Sequence, residues 1–266
     1  MSLAICAIFR NEAPYIREWL EFHRIVGIER FYLYQNRSDD DWRNILQPYL
    51  DEGVVEVTEW PLPSPCQQAA YGHFFNQHRG EPRWVAFLDC DEFLFSPYYA
   101  TISEVLDRLP PQWGALAVNW VCFGASGREQ HDPGLVIERF TLRPADNFGP
   151  NVHIKSIVRM DHAESVGPDP HHFCVSGGTC DESGRQVSGP FTLRPRHRLL
   201  RVNHYVTKSR EEYVRRISRG RADMPAQRDP REFDSYQAAD VNDQAILRFL
   251  PALKSRLERT KARGHF

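Results

Sequence analysis

The sequence predicts an α/β fold: a doubly wound, mostly parallel central sheet followed by an irregular C-terminal half. Three observations predict it. Through residue 95, short apolar runs alternate with helical periods in the order β-α-β-α-β-α-β, the order that right-handed parallel crossovers produce. The runs end in polar clusters, NE at 11–12, NRSDD at 36–40 and DCDE at 89–92, and open α/β sheets bind ligands beyond the carboxyl ends of their strands. The 266 residues are 41% hydrophobic and 26% charged, an ordinary globular balance with ample apolar mass for a core. Residues 1–95 read as a nucleotide-binding half, and 96–266 as the remainder of the same domain.

LAICAIF (3–9) is the first strand. Pro14 sits where a first helical turn tolerates it, and YIREWLEFHRIV puts Ile16, Trp19, Leu20 and His23 on one helical face. RFYLYQ (30–35) is the second strand. The Asp run after it is expected to cap a helix through Trp42, Ile45, Leu46 and Tyr49. GVVEVTEW is the third strand, and a Pro-rich loop leads to a helix over 65–79. RWVAFLDCDEFLF, Arg83 to Phe95, starts as the fourth strand. TISE (101–104) and SREE (209–212) are capping boxes opening helices. ALAVNWVCF, HIKSIVRM and RLLRVNHY read as strands and VIERF as a helical turn, and Pro251 is expected to break a C-terminal helix.

The formal net charge of −2 argues against a general nucleic-acid binder, which carries a basic excess. No run approaches the roughly 18 apolar residues of a membrane span. MSLAICAIFRNE lacks the layout of a signal peptide, so a cytoplasmic location is expected. The six cysteines form no CxxC pair and read as small hydrophobes rather than a zinc site.

Asp89 and Asp91 stand two apart at the mouth of an apolar strand. Where the chain turns, both can converge on one cation. Hard divalent ions, Mn²⁺ or Mg²⁺, prefer carboxylate oxygens and keep coordination sites for substrate phosphates. The competing reading is a solvated acidic turn. Asn11, Glu12 and the loop Asn36–Asp40 likewise read either as ligand contacts or as helix caps. The basic counterpart is 194–221, with ten Arg or Lys against two Glu, which suits phosphates at the helix start after Ser209 or, alternatively, anionic lipid headgroups. His204 follows an apolar strand and is placed to reach a metal with a neutral imidazole nitrogen.

AICAIFRNEAPYIREWLEFHRIVGIERFYLYQNRSDDD, WVAFLDCDEFLF, VNWVCFGASG, HIKSIVR and RVNHYVTKSREEYVRRISRGRAD together resemble glycosyltransferase family 92 and its bacterial relatives, enzymes of the GT-A fold related to family 2. The DxD alone is a weak motif; the ordered set of blocks is specific. The resemblance implies transfer of a sugar, galactose favoured, from a UDP-sugar to a glycan or lipid-linked saccharide with inversion. It implies Mn²⁺ or Mg²⁺ held by Asp91 as main ligand, with Asp89 near the ribose or the metal and His204 completing the site. Arg10, Asn11, Glu12, Asn36 and Ser38 would surround the nucleotide, and Lys155 and Lys208 would face the diphosphate. Trp120, Gly124 and Gly127 would line the acceptor. Asp132 and Glu138 are candidates for the base, with Glu129 behind them. His171 and His172 match a family block without a clear role. Two alternatives stay open: a sugar nucleotidyltransferase, and an inactive nucleotide-sugar-binding protein. Residues 194–221 leave open a peripheral contact with the inner face of a membrane.

Overall fold

A computed structural model describes residues 2–220, 222 and 229–262. The hydrophobic periods of the first third fold as β1 (Leu3–Phe9), α1 (Ala13–Ile25), β2 (Arg30–Gln35), α2 (Trp42–Asp51), β3 (Val55–Glu59), α3 (Gln67–Gln77) and β4 (Trp84–Phe87). β1 is buried at every position, as a parallel strand covered on both faces must be. Its Leu3, Ile5 and Ala7 pack with Trp19 and Leu20 of α1 and Leu46 of α2. The alternate residues Ala4, Cys6 and Ile8 pack with Tyr71 and Phe74 of α3. Helices therefore cover both faces, and the sheet is doubly wound.

The remaining strands are β5 (Glu92–Phe95), β6 (Ala115–Cys122), β7 (Leu142–Arg143), β8 (Ile154–Arg159), β9 (Ala163–Asp169), β10 (His172–Val175), β11 (Thr179–Cys180), β12 (Gln186–Val187), β13 (Arg201–His204) and β14 (Val241–Asn242). Between and after them lie α4 (Ser103–Leu106), α5 (Val136–Arg139), α6 (Arg210–Arg219), α7 (Glu232–Ser235) and α8 (Leu250–Ala262). The main sheet runs β12-β11-β6-β8-β4-β1-β2-β3. β3, β2, β1 and β4 are parallel neighbours, and β8 enters antiparallel between β4 and β6. The second half of the chain thus completes the sheet begun by the first.

Several expectations are corrected. The chain does turn at the acidic cluster after Leu88, as expected, but residues beyond it form a further strand, β5, which leaves the main sheet to pair antiparallel with β13. The turn is closed by Glu92, whose N–H donates to Asp89 O at 3.1 Å and whose Oε2 accepts from Asp89 N–H at 2.9 Å. The Asp run caps α1 rather than α2, with Asp40 Oδ2 accepting from Ala13 N–H at 2.7 Å. TISE opens only a single turn, in which Glu104 accepts from Thr101 N–H. Pro251 lies in the first turn of α8, where its missing N–H costs no helical bond, so it starts a helix instead of breaking one. SREE does form a full capping box at Ser209 and Glu212. The cysteines are free, five of them buried and Cys174 exposed. Among the described residues no helix is long and apolar enough to cross a membrane.

Glu18 shows how a charged residue serves this core. Its carboxyl oxygens accept from Val136 and Ile137 N–H at 2.8 and 3.1 Å, capping α5 from α1. Burial pushes its pKa up from 4.5 to about 7, against those two bonds. The folded chain therefore holds this proton more tightly than the unfolded chain. Its contribution to stability is full below pH 4.5 and is lost as pH rises through about 7, a change of about 3 kcal/mol. Urea unfolding at pH 5 and pH 8 should show a smaller difference for Glu18→Gln than for the wild type; an equal difference would refute the assignment.

Candidate active site

The carboxyl ends of β1, β4 and β13 open on a cleft of about 330 Å³. Arg10, Glu12, Asn36, Asp89, Asp91, Trp120 and His204 all line it. Sequence-distant residues meet here because β13 pairs with both β5 and β6, setting His204 opposite Glu92 and Cys122. Tyr205 N–H then donates to Asp91 O at 2.9 Å and fixes the acidic turn against β13.

The two aspartates of the turn differ in role. Asp89 Oδ1 accepts from Gln67 Nε2 at 3.0 Å and Oδ2 from Lys155 Nζ at 2.8 Å. Lys155 is buried and also lies 3.1 Å from Glu92 Oε2, itself fully buried. Burial favours a neutral lysine, yet Asp89 and Glu92 hold its pKa above the ordinary value. Burial pushes the Glu92 carboxyl up to about 8 despite Lys155. Lys155 is therefore spent on the acidic turn, and the expectation that it faces a diphosphate is corrected. Asp89 anchors that lysine, with both oxygens occupied, rather than standing as an open metal ligand.

Asp91 is buried, with Arg216 Nη1 at 2.7 Å and His204 Nε2 at 3.6 Å from Oδ2. Burial would raise its pKa, but Arg216 and His204 hold it well below the usual range. Burial lowers the pKa of His204, so its imidazole is neutral at pH 7. Asp91 Oδ2 keeps its ion pair with Arg216, while both ring nitrogens of His204 are buried without a hydrogen bond. Buried polar atoms are rarely left so. Among the described residues no three His, Cys, Asp or Glu surround a common point. Asp91 and His204 nonetheless fit a hard divalent ion that takes two protein ligands and completes its shell with substrate phosphate and water.

Arg216 and Arg219 come from the last turns of α6. Arg219 Nη2 lies 2.5 Å from Glu12 Oε1, and Nη1 donates to Arg10 O at 2.6 Å. These two arginines, three apart and on one helical face, went unmarked within the basic stretch. Helical spacing after the SREE box was the signal that would have found them. Part of the stretch is paired within the chain, Arg201 with Asp243 in the interior and Arg210 with Glu129 and Arg215 with Glu211 at the surface. Nor do phosphates find the start of α6 open, because Ser209 Oγ already accepts from Glu212 N–H there.

Other expected residues stand elsewhere. Lys208 is buried with its ammonium 4.3 Å over the Tyr15 ring, and burial lowers its pKa. It lines an adjoining hollow of about 460 Å³ that shares Arg10, Glu12, Arg216 and Arg219 with the cleft. Asn11 (φ 52°) and Ser38 tie two loops together, Asn11 N–H donating to Ser38 Oγ at 3.0 Å. Asn36 Nδ2 donates to Trp60 O and Leu62 O at 2.7 and 2.9 Å, holding the cleft wall. Gly124 does not line the cleft; a Cβ there would meet Tyr236 O at 2.4 Å, so glycine lets this segment pass beneath α7. Gly127 (φ 74°) makes a turn outside it. Asp132 pairs with Arg128 and Arg139, Glu138 with Lys254 and Glu129 with Arg210, all away from the cleft, so the base candidates are corrected too. His171 lines the cleft, His172 pairs with Asp169 across β9 and β10, and His153, Gln67, Glu232 and Tyr236 are cleft residues the sequence did not single out.

Sheet, acidic turn and cationic helix end define an α/β protein with a polar ligand cleft at a parallel-sheet edge. The model of "Glycosyltransferase family 92" matches residues 1–218. The chain belongs to glycosyltransferase family 92. A family 92 protein of Oryza sativa subsp. japonica is 35% identical over 66% of this chain and 30% of its own length. One of Ricinus communis is 27% identical over 82% of this chain and 38% of its own. A galactan beta-1,4-galactosyltransferase of Arabidopsis thaliana is 22% identical over 61% and 34%. The chain thus spans about a third of the length of these curated relatives. Among solved structures, S. aureus TarS residues 1–349 match with a TM-score of 0.40 and 15% identity, over 60% of this chain and 47% of that one.

Proposed function

We propose that the cleft transfers a hexose from a UDP-sugar to a hydroxyl of a glycan or lipid-linked saccharide, with inversion and with Mn²⁺ or Mg²⁺ as cofactor. Family membership supports the reaction class, and the relatives named galactan beta-1,4-galactosyltransferases favour galactose. The observation that carries the reading is the buried pair Asp91 and His204, both imidazole nitrogens without a hydrogen bond, beside Arg216 and Arg219 at a sheet edge. Bound by Asp91 and His204, a divalent ion would act as a Lewis acid toward the leaving diphosphate.

The chain's own residues do the rest. Arg216 and Arg219 neutralise phosphate charge, and β1 and β2 present Arg10 and Asn36 to the nucleotide. The acceptor oxygen attacks the anomeric carbon, the bond to the diphosphate oxygen breaks with its electron pair, and a base takes the hydroxyl proton. Glu232, half-buried at the start of α7 where it lines the cleft, is our candidate for the base.

The test is release of UDP from UDP-sugars with and without Mn²⁺, alongside the thermal midpoint, which a ligand of the folded state raises. Turnover with Mn²⁺, reduced about 10²-fold in Glu232→Gln, is expected. Tight UDP binding without turnover on any acceptor or water would leave only a binding protein, and pyrophosphate release from a nucleoside triphosphate would select nucleotidyl transfer. A second reading, in which Arg216 replaces the metal, is favoured by its 2.7 Å approach to Asp91, and metal-insensitive turnover would select it.

A further inference from the structure

Four rings run outward from the base of the cleft. His204 lies 4.3 Å from Trp120, Trp120 stacks on His153 at 4.6 Å and 14°, and His153 meets Phe191 edge-on at 4.6 Å. The first three line the cleft. Phe191 lies beyond it, 50% exposed and outside the apolar core clusters of the described residues. Phe191 thus carries the cleft's line of rings out to solvent.

Phe191 is held rather than loosely hung. Its backbone bridges to His153, Thr192 N–H donates to Val152 O at 2.8 Å, and Asn119 Nδ2 donates to Thr192 Oγ1 at 2.7 Å. Polar atoms along the ladder point the same way. Trp120 is nine-tenths buried, yet its indole N–H has no hydrogen-bond partner. The Nδ1 atoms of His153 and His171 donate to Pro150 O and Ile154 O at 2.9 Å, leaving each Nε2 as an acceptor. Burial keeps both imidazoles neutral at pH 7, lowering His171 to about 3 and lowering His153 as well. Flat rings beside isolated donors and neutral acceptors match a sugar, whose C–H faces are apolar and whose edge is hydroxyls.

We propose that Trp120, His153 and Phe191 form an acceptor subsite for a saccharide chain of several units, the reacting end against Trp120 and the preceding units leading out across Phe191. This rests on the transferase reading of the cleft. A lone sugar stacked on Trp120 would not need Phe191.

The test is calorimetric titration of the full chain with di- and hexasaccharides of β-1,4-galactan and β-1,4-glucan. At least one hexasaccharide should bind wild type about tenfold tighter than its disaccharide. Phe191→Leu, which keeps apolar volume without a ring, should bring the two within about twofold, and Phe191→Trp should retain the preference, with thermal midpoints showing each variant folded. No hexasaccharide binding to wild type, or an unchanged preference in Phe191→Leu, overturns the proposal. UDP failing to bind while the chain-length preference survives would count against the transferase reading alone.

Discussion

Asp91→Asn is expected to lower transfer about 10³-fold and to erase the rise in thermal midpoint that Mn²⁺ gives the wild type. The substitution keeps shape and removes charge. Asp91 is 3% exposed and lies 3.6 Å from His204 Nε2, so an amide there cannot hold a cation against its desolvation. It also leaves Arg216 beside a neutral group, weakening the tether of α6 to the acidic turn. Two readouts separate these effects: Mn²⁺ titration of the thermal midpoint follows the ligand, and the metal-free midpoint follows the tether. Activity within tenfold of wild type together with an unchanged Mn²⁺ titration would sink the site.

Glu212→Ala is expected to destabilise the fold by about 3–5 kcal/mol, the cost of stranding a buried partner charge. Arg139 donates to both its oxygens, at 3.0 and 2.9 Å, and the two side chains are 4% and 1% exposed. Tyr15 Oη–H donates to Oε1 at 2.8 Å and Ser209 N–H to Oε2 at 3.0 Å. Burial alone would raise the Glu212 pKa, but Arg139, Ser209 and Tyr15 hold it well below the ordinary 4.5. The stabilisation is therefore present above pH 4.5 and is lost as pH falls through the depressed value. Without Glu212, Arg139 keeps, among the described residues, one ion-pair partner, Asp132 at 3.7 Å, and α6 loses its capping box. Equilibrium urea unfolding at pH 7 measures the loss. Replacing both partners in Arg139→Met/Glu212→Leu should recover part of it, because no buried charge remains. A deficit under 1 kcal/mol in Glu212→Ala would show that solvent reaches the pair.

Local pattern carried far in this chain. The apolar run 3–9, the period through Ile16, Trp19 and Leu20, and the SREE box each form what they predict, because their signals depend on neighbours a few residues away. The acidic turn at 89–92 and His204 were singled out for the same reason: polar residues directly after apolar runs stand out in one dimension.

What the sequence by itself determined is the doubly wound half and the edge at which its polar clusters gather, since hydrophobic period and the handedness of crossovers leave few other solutions. Tertiary structure alone decided which charges are free to act. β8 brings Lys155 to Asp89 and Glu92, α6 brings Arg216 to Asp91, and α8 takes Glu138 through Lys254. Those pairings join residues far apart along the chain, and a buried charge takes whichever opposite charge the packing sets beside it, a choice that no local spacing encodes.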